Sequence, residues 1–575
     1  MAPVATLPAA WAAPLLLLTW LAPLLALAAL AVPGWRERVQ AWAPLTAVPG
    51  LASALFLADG ASLELPWALM GLSLAMEPVG RVFLLLAALL WGTAAGFTRG
   101  YLARDAARHR FLGFFLAAMA GNLGLTVAQD PAGFLAFFAL MGIPAYGLVV
   151  HTGTPFARRA ANVYLGATVT GETLTLAGLL MALGPGPAEA GAFWLVAGLG
   201  VKAGLLPLHF WLPLAHPAAP APASAVLSGS MIKAGLLGWL RFLPLGEVAL
   251  PQLGGTLFLL GLAGAFLAVV AGLPQRDAKT VLAYSSVSQM GWMAAAVGAG
   301  LAAPAAWPAL LAAVLAYALH HGLAKGALFL STAVTAPWPR TTRGRLALGA
   351  GLALPALAIA GLPGTSGAAA KVGLKGALSA LPGMTGADPA VLLGLGAAAT
   401  TLLMVRFLFV LAPGHGAGRS ARAWWAALVG AGVVLPWIWS PLRNWAVKGL
   451  SPDLLGAALL PVAGSALLGT AWGLARRRVA LPVPPPLPAG DWYAAAETAV
   501  RHLAHPTAPL RRLLARLWRP GNRLWAFLYH HLWLRGRDRL TAADRWGWTT
   551  SGTAFLLILV LLALLLSRTL ALGLD

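Results

Sequence analysis

Apolar residues in this chain arrive in runs long enough to cross a lipid bilayer, and no other feature limits the possible folds so sharply. The stretch Ala554–Leu566, the centre of one such run, carries no polar side chain. About 20 such residues match a hydrocarbon core roughly 30 Å thick. By length and hydropathy the sequence reads as roughly sixteen spans. Backbone N–H and C=O groups in lipid must be satisfied internally, so an all-α integral membrane protein is expected. Composition agrees: the 575 residues are 59% hydrophobic and 10% charged, where soluble domains are about 25% charged. Cysteine is absent, which excludes disulfides, iron–sulfur ligation and thiolate metal sites, so electron chemistry would belong to a partner. No Gly-rich phosphate loop follows a predicted strand, and no cofactor is expected in this chain. The net charge of +22 does not point to nucleic acid, because the basic residues lie in loops between spans. Met1 to Ala31 is long and apolar without a basic flank, and it reads as a first span rather than a cleaved signal.

The arginines alternate from one loop to the next. They follow span 1 (Arg36, Arg38), span 3 (Arg99, Arg104, Arg108, Arg110), span 5 (Arg158, Arg159), span 9 (Arg276), span 11 (Arg340, Arg343, Arg345), span 13 (Arg419, Arg422) and span 15 (Arg476, Arg477, Arg478). The intervening loops carry acids such as Glu64, Asp130, Glu189 and Asp388, with Arg241, Arg443 and Lys448 as exceptions. Arginine loops mark the cytoplasmic face, so the N-terminus is expected outside a bacterial-type inner membrane and residues 481–546 inside. That last segment opens with a stiff PVPPPLP stretch and interleaves Arg511, Arg512, Arg516 and Arg519 with Trp518, Trp525 and Trp533. It reads as an interfacial helix on anionic lipid, followed by a final span within 547–575.

Thirty-two arginines stand against seven lysines. Guanidinium stays charged at any biological pH, whereas a lysine amine sheds its proton when desolvation or a nearby cation favours the neutral form. Lysine is therefore the basic residue that a proton relay can load and unload. Lys448 reads as a loop residue and Lys279 opens a span. Lys202, Lys233, Lys325, Lys371 and Lys375 fall within or beside apolar runs, where a charge is a functional hypothesis by default. The clear mid-span acid is Glu172, which suits either a counter-ion that switches partner or a static bridge to Lys202.

Helix breakers surround these lysines. Pro207, Pro213, Pro217, Pro220 and Pro222 follow Lys202, and His209 and His216 sit among them. Imidazole titrates near neutrality and passes protons; with no other ligands clustered nearby, no metal site is expected. Gly361-Leu362-Pro363-Gly364 interrupts a later span before Lys371, and His320, His321 and Lys325 lie on the helix ahead of it. His321 and Lys325 are four residues apart and share a face. Interrupted spans in two halves point to a repeat-built transporter with sites at the breaks.

Four of these stretches, Lys202–Gly235, Asp277–Gly291, His321–Lys325 and Gly361–Lys371, resemble a known family. It comprises the antiporter-like proton-channel subunits of respiratory complex I, Mrp-type sodium/proton antiporters and membrane-bound hydrogenases. The resemblance runs from about residue 77 to 409. It implies about fourteen core helices arranged as two inverted five-helix repeats, each with one broken helix. The corresponding organisation is residues 1–108 as N-terminal spans, 109–250 and 251–412 as the two repeats, 413–480 as C-terminal spans, then the basic segment and the final span. It further implies that Lys202 serves the first broken helix, Lys233 the next step inward, Lys325 the centre and Lys371 the second broken helix and outlet. His321 resembles a hydrated-axis histidine; His209, His216, His320 and Lys375 are further proton-path candidates. The sequence departs from the family at two points. Ala139 stands where the family has a glutamate on the fifth helix, seven residues before Tyr146, and Glu172 is the candidate replacement. Leu214 stands where complex I members have Asp, as in the hydrogenase and Mrp branches.

The function expected from all this is proton or sodium/proton translocation by a non-redox membrane subunit. Its partners would be lipid and other membrane subunits of a redox-driven pump, such as an NADH:quinone oxidoreductase-like or hydrogenase complex, or of an antiporter. Two alternatives compete with it. One is a membrane module energising a separate zinc-dependent protein for inorganic-carbon uptake; the other is a structural anchor whose proton path ends at Ala139.

Overall fold

The structure, a computed structural model, describes residues 3, 6–184, 188–335, 341–381, 388–411, 418–478, 488 and 493–494. The final span and nearly all of the basic segment at 481–546 lie outside the described residues. Helices α1 (Ala12–Leu30), α2 (Arg36–Trp42) and α3 (Val48–Phe56) lead into a hairpin of β1 (Ser62–Leu65) and β2 (Leu72–Ala75). There follow α4 (Pro78–Tyr101), α5 (Arg108–Val127), α6 (Pro131–Val149), α7 (Pro155–Leu183), α8 (Ala188–Ala203), α9 (Leu212–Ala218), α10 (Ala221–Val226) and α11 (Ile232–Phe242). The next elements are α12 (Pro251–Gly272), α13 (Ala278–Ala302), α14 (Trp307–Val334), α15 (Thr342–Ala360), α16 (Ser366–Ser379) and α17 (Pro389–Val410). Helices α18 (Arg419–Ile438), α19 (Ser440–Lys448) and α20 (Pro452–Arg478) complete the series. Among the described residues, 13 helical stretches are long and apolar enough to cross a membrane, and the chain is a multi-pass membrane protein. Helix α13 is not one of them: Ser285, Ser286, Ser288 and Gln289 lower its hydropathy, yet all four are buried by protein.

Helix starts follow local chemistry. Asp130, Thr154 and Asp277 each accept from a backbone amide three residues on, at Gly133, Ala157 and Thr280, and Pro131 and Pro155 occupy the first helical turn. Such caps satisfy amides that the helix leaves without partners. Glycines set how closely helices approach. Gly254 and Gly261 of α12 face Gly298 and Gly291 of α13, and a methyl added at Gly261 would lie 2.5 Å from Ala295 N. Gly171 and Gly178 of α7 face Gly198 and Gly191 of α8 in the same way. In each helix the two glycines are seven residues apart, so a row of small residues lets backbones meet where lipid gives no hydrophobic drive.

A buried arginine explains one apparent exception in the charge pattern, and a second makes the same kind of contact. Arg241, read from sequence as a basic residue on the wrong face, reaches across to the end of α5. It donates to Leu125 O (2.7 Å), Thr126 O (2.6 Å) and Ala128 O (2.6 Å), and pairs with Glu77. Arg81 likewise closes the end of α3 through Ala54 O and Leu57 O while pairing with Asp59. These guanidinium groups cap helix C-terminal carbonyls. One further sequence expectation is corrected: Lys448 closes α19 rather than lying in a plain loop; Glu64, in the connection between α3 and α4, lies on β1 and accepts from Ser73 Oγ. On the arginine-rich side, Asp105 accepts from His151 Nε2 (2.9 Å) and from the Ala107 amide, fastening the α4–α5 loop to the α6–α7 loop.

Both expected helix breaks are present. Helix α8 ends at Ala203, Gly204 takes φ +73, and the chain turns through Pro207 and His209 before α9. The exposed carbonyl of Val201 is taken by Trp211 Nε1 at 2.8 Å. Helix α15 ends at Ala360, Gly361 takes φ +92, and α16 starts at Ser366 with Thr365 as its cap. Positive φ at both positions is a conformation that glycine adopts without strain. A π-helical turn at Leu227–Met231 joins α10 to α11, and such turns concentrate at functional positions.

Candidate proton-path site

The first cluster forms on α7. Tyr164, Thr168 and Glu172 are spaced by four residues and present one ladder to the last turn of α8. Lys202, only 4% exposed, donates to Tyr164 Oη (3.4 Å) and Thr168 Oγ1 (3.3 Å). Its amine stands over the rings of Phe138 (5.4 Å) and Tyr164 (5.2 Å), a cation–π arrangement. Glu172 completes the cluster. A methyl built on Gly142 of α6 would lie 2.5 Å from Glu172 Oε1 and 3.2 Å from Lys202 Nζ, so carboxylate and amine converge on that glycine. The same Oε1 is buried and accepts no hydrogen bond from the protein. Ala139, one turn before Gly142, carries no acid, so the acid of this cluster comes from α7 and not α6.

The other lysines have a different environment. Lys233 donates to Ser228 O at 2.6 Å, within the π-helical turn. Lys325, in the middle of α14, donates to Leu282 O of α13 at 3.0 Å. Lys371 crosses the second break and donates to Ala360 O (2.7 Å) and Ile359 O (3.4 Å), the last carbonyls of α15. Helix C-terminal carbonyls carry partial negative charge and attract a cation there. Lys279 makes the equivalent contact at the first break, donating to Ala219 O at 2.7 Å beside the end of α9. Lys375 lies one turn beyond Lys371 and is half-buried.

Histidines lie between these amines. His321 is fully buried within electrostatic reach of Lys233 and Lys325, and neither ring nitrogen meets a protein partner. His320 pairs through Nδ1 with Ser366 Oγ (2.8 Å) at the start of α16, and it lies within electrostatic reach of Lys371 and Lys233. His216 stacks on Phe329 with centroids 4.5 Å apart, one turn from Lys325. His209 sits in the turn between α8 and α9. Hydroxyls and amides extend the network: Ser228 and Ser286 share a 2.7 Å hydrogen bond, and Tyr317 Oη donates to Gln289, which donates to Thr400.

The structure thus brings Lys202 together with Glu172, and Lys233, Lys325, His320 and His321 together around α14. It keeps Lys371 and Lys375 at the second break. Sequence reasoning passed over Tyr164 and Thr168, although their four-residue spacing from Glu172 was a usable signal. It also passed over Ser366 and Asn122; the latter accepts from Trp91 Nε1 and Ser230 Oγ beside Lys233. Among the described residues, no three His, Asp or Glu side chains converge as a metal site.

Residues 170–402, which hold Glu172 and the Lys202, Lys233, Lys325 and Lys371 positions, match a family model described as NADH:quinone oxidoreductase/Mrp antiporter, TM. Hydrogenase-4 component B of Escherichia coli is 28% identical over 294 residues, covering 46% of this chain and 43% of that protein. NADH-quinone oxidoreductase subunit N of Desulforudis audaxviator is 30% identical over 290 residues, covering 46% of this chain and 56% of that one. The chain therefore spans about half the length of these curated relatives. A chain in the structure of the Mrp complex from Dietzia sp. DQ12-45-1b superposes with a TM-score of 0.63 at 18% identity, covering 78% of this chain and 99% of that chain. At that identity the likeness concerns the fold.

Proposed function

We infer that this chain, a member of the antiporter-like family of complex I, Mrp and hydrogenase membrane subunits through residues 170–402, is an ion-translocating subunit of a multisubunit membrane complex. It moves protons, or exchanges sodium for protons, through the Lys202, Lys233, Lys325 and Lys371 amines. The observation that carries this reading is the unequal partnering of those amines. Lys202 converges with an acid, Glu172, whose Oε1 has no protein donor. Lys233, Lys325 and Lys371 donate to main-chain carbonyls instead.

The mechanism follows from charge repulsion along a buried row. A proton held on Lys202 is balanced by Glu172 while the two converge. When the carboxylate takes up another donor, that balance is lost and a cation in a medium of low dielectric becomes costly. The excess charge disfavours a second cation at Lys233, and the proton there moves toward His321 and Lys325. His320 is placed to pass it to Ser366 and the second break, where Lys371 holds it on the C-terminal carbonyls of α15. The chain's own residues supply the path, and the driving step belongs to partner subunits through a redox or antiport reaction. In this orientation the N-terminus is outside and the arginine loops are inside.

The test is Lys202→Ala in membrane vesicles carrying the intact complex. Formation of a pH gradient is expected to stop while the subunit stays assembled. Unchanged proton movement in that variant would reject the reading.

A further inference from the structure

On α6, Gly142 faces both the Glu172 carboxylate and the Lys202 amine. Three features single it out. A methyl on it would meet Glu172 Oε1 at 2.5 Å, Thr168 Cγ2 at 2.8 Å and Lys202 Nζ at 3.2 Å. Its carbonyl accepts from Tyr164 Oη at 2.9 Å, and that hydroxyl in turn accepts from Lys202. The residue one turn earlier, Ala139, is also small.

The atoms that a methyl would meet decide what this glycine is for. All three are the ends of side chains. At Gly121 of α5, by contrast, a methyl would meet Leu140 C and Phe137 O, the backbone of α6. A side chain at Gly121 would therefore push helices apart. One at Gly142 would leave the helices in place and displace the carboxylate and the amine.

We propose that Gly142 is a positioning residue for Glu172 and Lys202: the absence of a side chain there leaves the space in which a carboxylate from α7 and the amine of α8 converge beside α6. This rests on the reading of Glu172 as the counter-charge of Lys202. It adds that α6 yields the room in which the α7 acid stands. Gly142 touches no transported ion; it sets where the charged groups stand.

The test compares four forms of the full chain in its complex, in vesicles, by proton movement and its pH profile: the natural protein, Gly142→Ala, Glu172→Asp and Gly142→Ala/Glu172→Asp. Gly142→Ala displaces the carboxylate, and misplacement by about 1 Å is expected to lower flux at least about tenfold and shift the pH profile. Glu172→Asp withdraws the carboxylate by one methylene and lowers flux as well. In the double variant the methyl fills the space that the shorter acid leaves, so flux recovers above that of either single variant. A purely structural glycine gives no such recovery, and a double variant no better than the worse single one overturns the proposal. Failure of Gly142→Ala to accumulate in the membrane overturns it too, because that would mean the helices and not the side-chain ends are displaced. A Glu172→Gln control separates the levels. If it keeps full flux, the counter-charge reading itself fails; if it loses flux while Gly142→Ala does not, only the positioning role fails.

Discussion

Replacing Lys325 by methionine separates the relay from the fold. Lys325 has no exposed surface, and its amine donates to Leu282 O at 3.0 Å. That carbonyl also accepts from Ser286 Oγ at 3.0 Å, so removing the amine strands no acceptor. The loss is one hydrogen bond from a charged donor, about 1.5–3 kcal/mol. The gain is removal of a cation from the membrane interior, about 2.5–3.5 kcal/mol. The balance runs from near zero to about 2 kcal/mol in favour of the methionine variant. Methionine is unbranched and adapts to the space of the lysine stem. In detergent, Lys325→Met is therefore expected to melt near or above the natural temperature and to co-purify with its partner subunits. In vesicles its proton movement is expected at background, because thioether sulfur carries no proton. Lys325→Arg keeps the charge, cannot shed it, and is expected to be equally inactive. A methionine variant that melts normally and still moves protons would refute the role of Lys325 and break the proposed row at its centre.

Other outcomes follow from the same contacts. Glu172→Gln removes the facing charge of Lys202; at an effective dielectric of about 20 that charge is worth a few kcal/mol, so flux in vesicles should fall at least about tenfold. Arg241→Ala leaves Glu77 unpaired and strips three carbonyls of their donors, at a cost of about 3–5 kcal/mol. Arg241→Lys recovers only part of that, because one ammonium cannot reach Leu125, Thr126 and Ala128 together; thermal melts in detergent read both. On the arginine-rich side, burial by itself would raise the Asp105 carboxyl, but hydrogen bonds from His151 and the Ala107 amide hold it below the ordinary value. The stabilisation it gives is complete above the unfolded carboxylate value of about 3.9 and is lost as pH falls through the lower folded value. Melting temperature should therefore drop in strongly acid buffer in the natural protein, and Asp105→Asn should show a smaller drop.

Much of this architecture was legible because lipid imposes few solutions. Apolar runs gave the helices, and Pro and Gly clusters gave both breaks. The scarcity of lysine against arginine led to Lys202, Lys233, Lys325 and Lys371. What stayed hidden depended on distance between segments far apart in sequence. Arg241 looked like a loop charge, because nothing near it in the chain shows that it caps α5, more than a hundred residues earlier. The β1–β2 hairpin was missed because its turn carries no Asn-Gly or Asp-Gly signal and uses positive φ at Leu69 and Met70 instead. Helix α13 was read as the span that Lys279 opens, but the sequence did not show that burial by neighbouring helices is what makes its serines acceptable at that depth. Gly142 was one glycine among 66 until Glu172 and Lys202 were seen to meet beside it.

The peptide oxygens that receive Lys233, Lys325 and Lys371 have one property that a carboxylate lacks: no physiological acidity protonates them. They steady an ammonium electrostatically yet never compete with it for hydrogen. In the proposed row a hydrogen ion would rest on nitrogen, with the protein backbone as a fixed, chemically inert background. Of the four lysines in the proposed row, Lys202 is the one that faces a carboxylate, Glu172, which would make that end the place where the direction of travel is chosen.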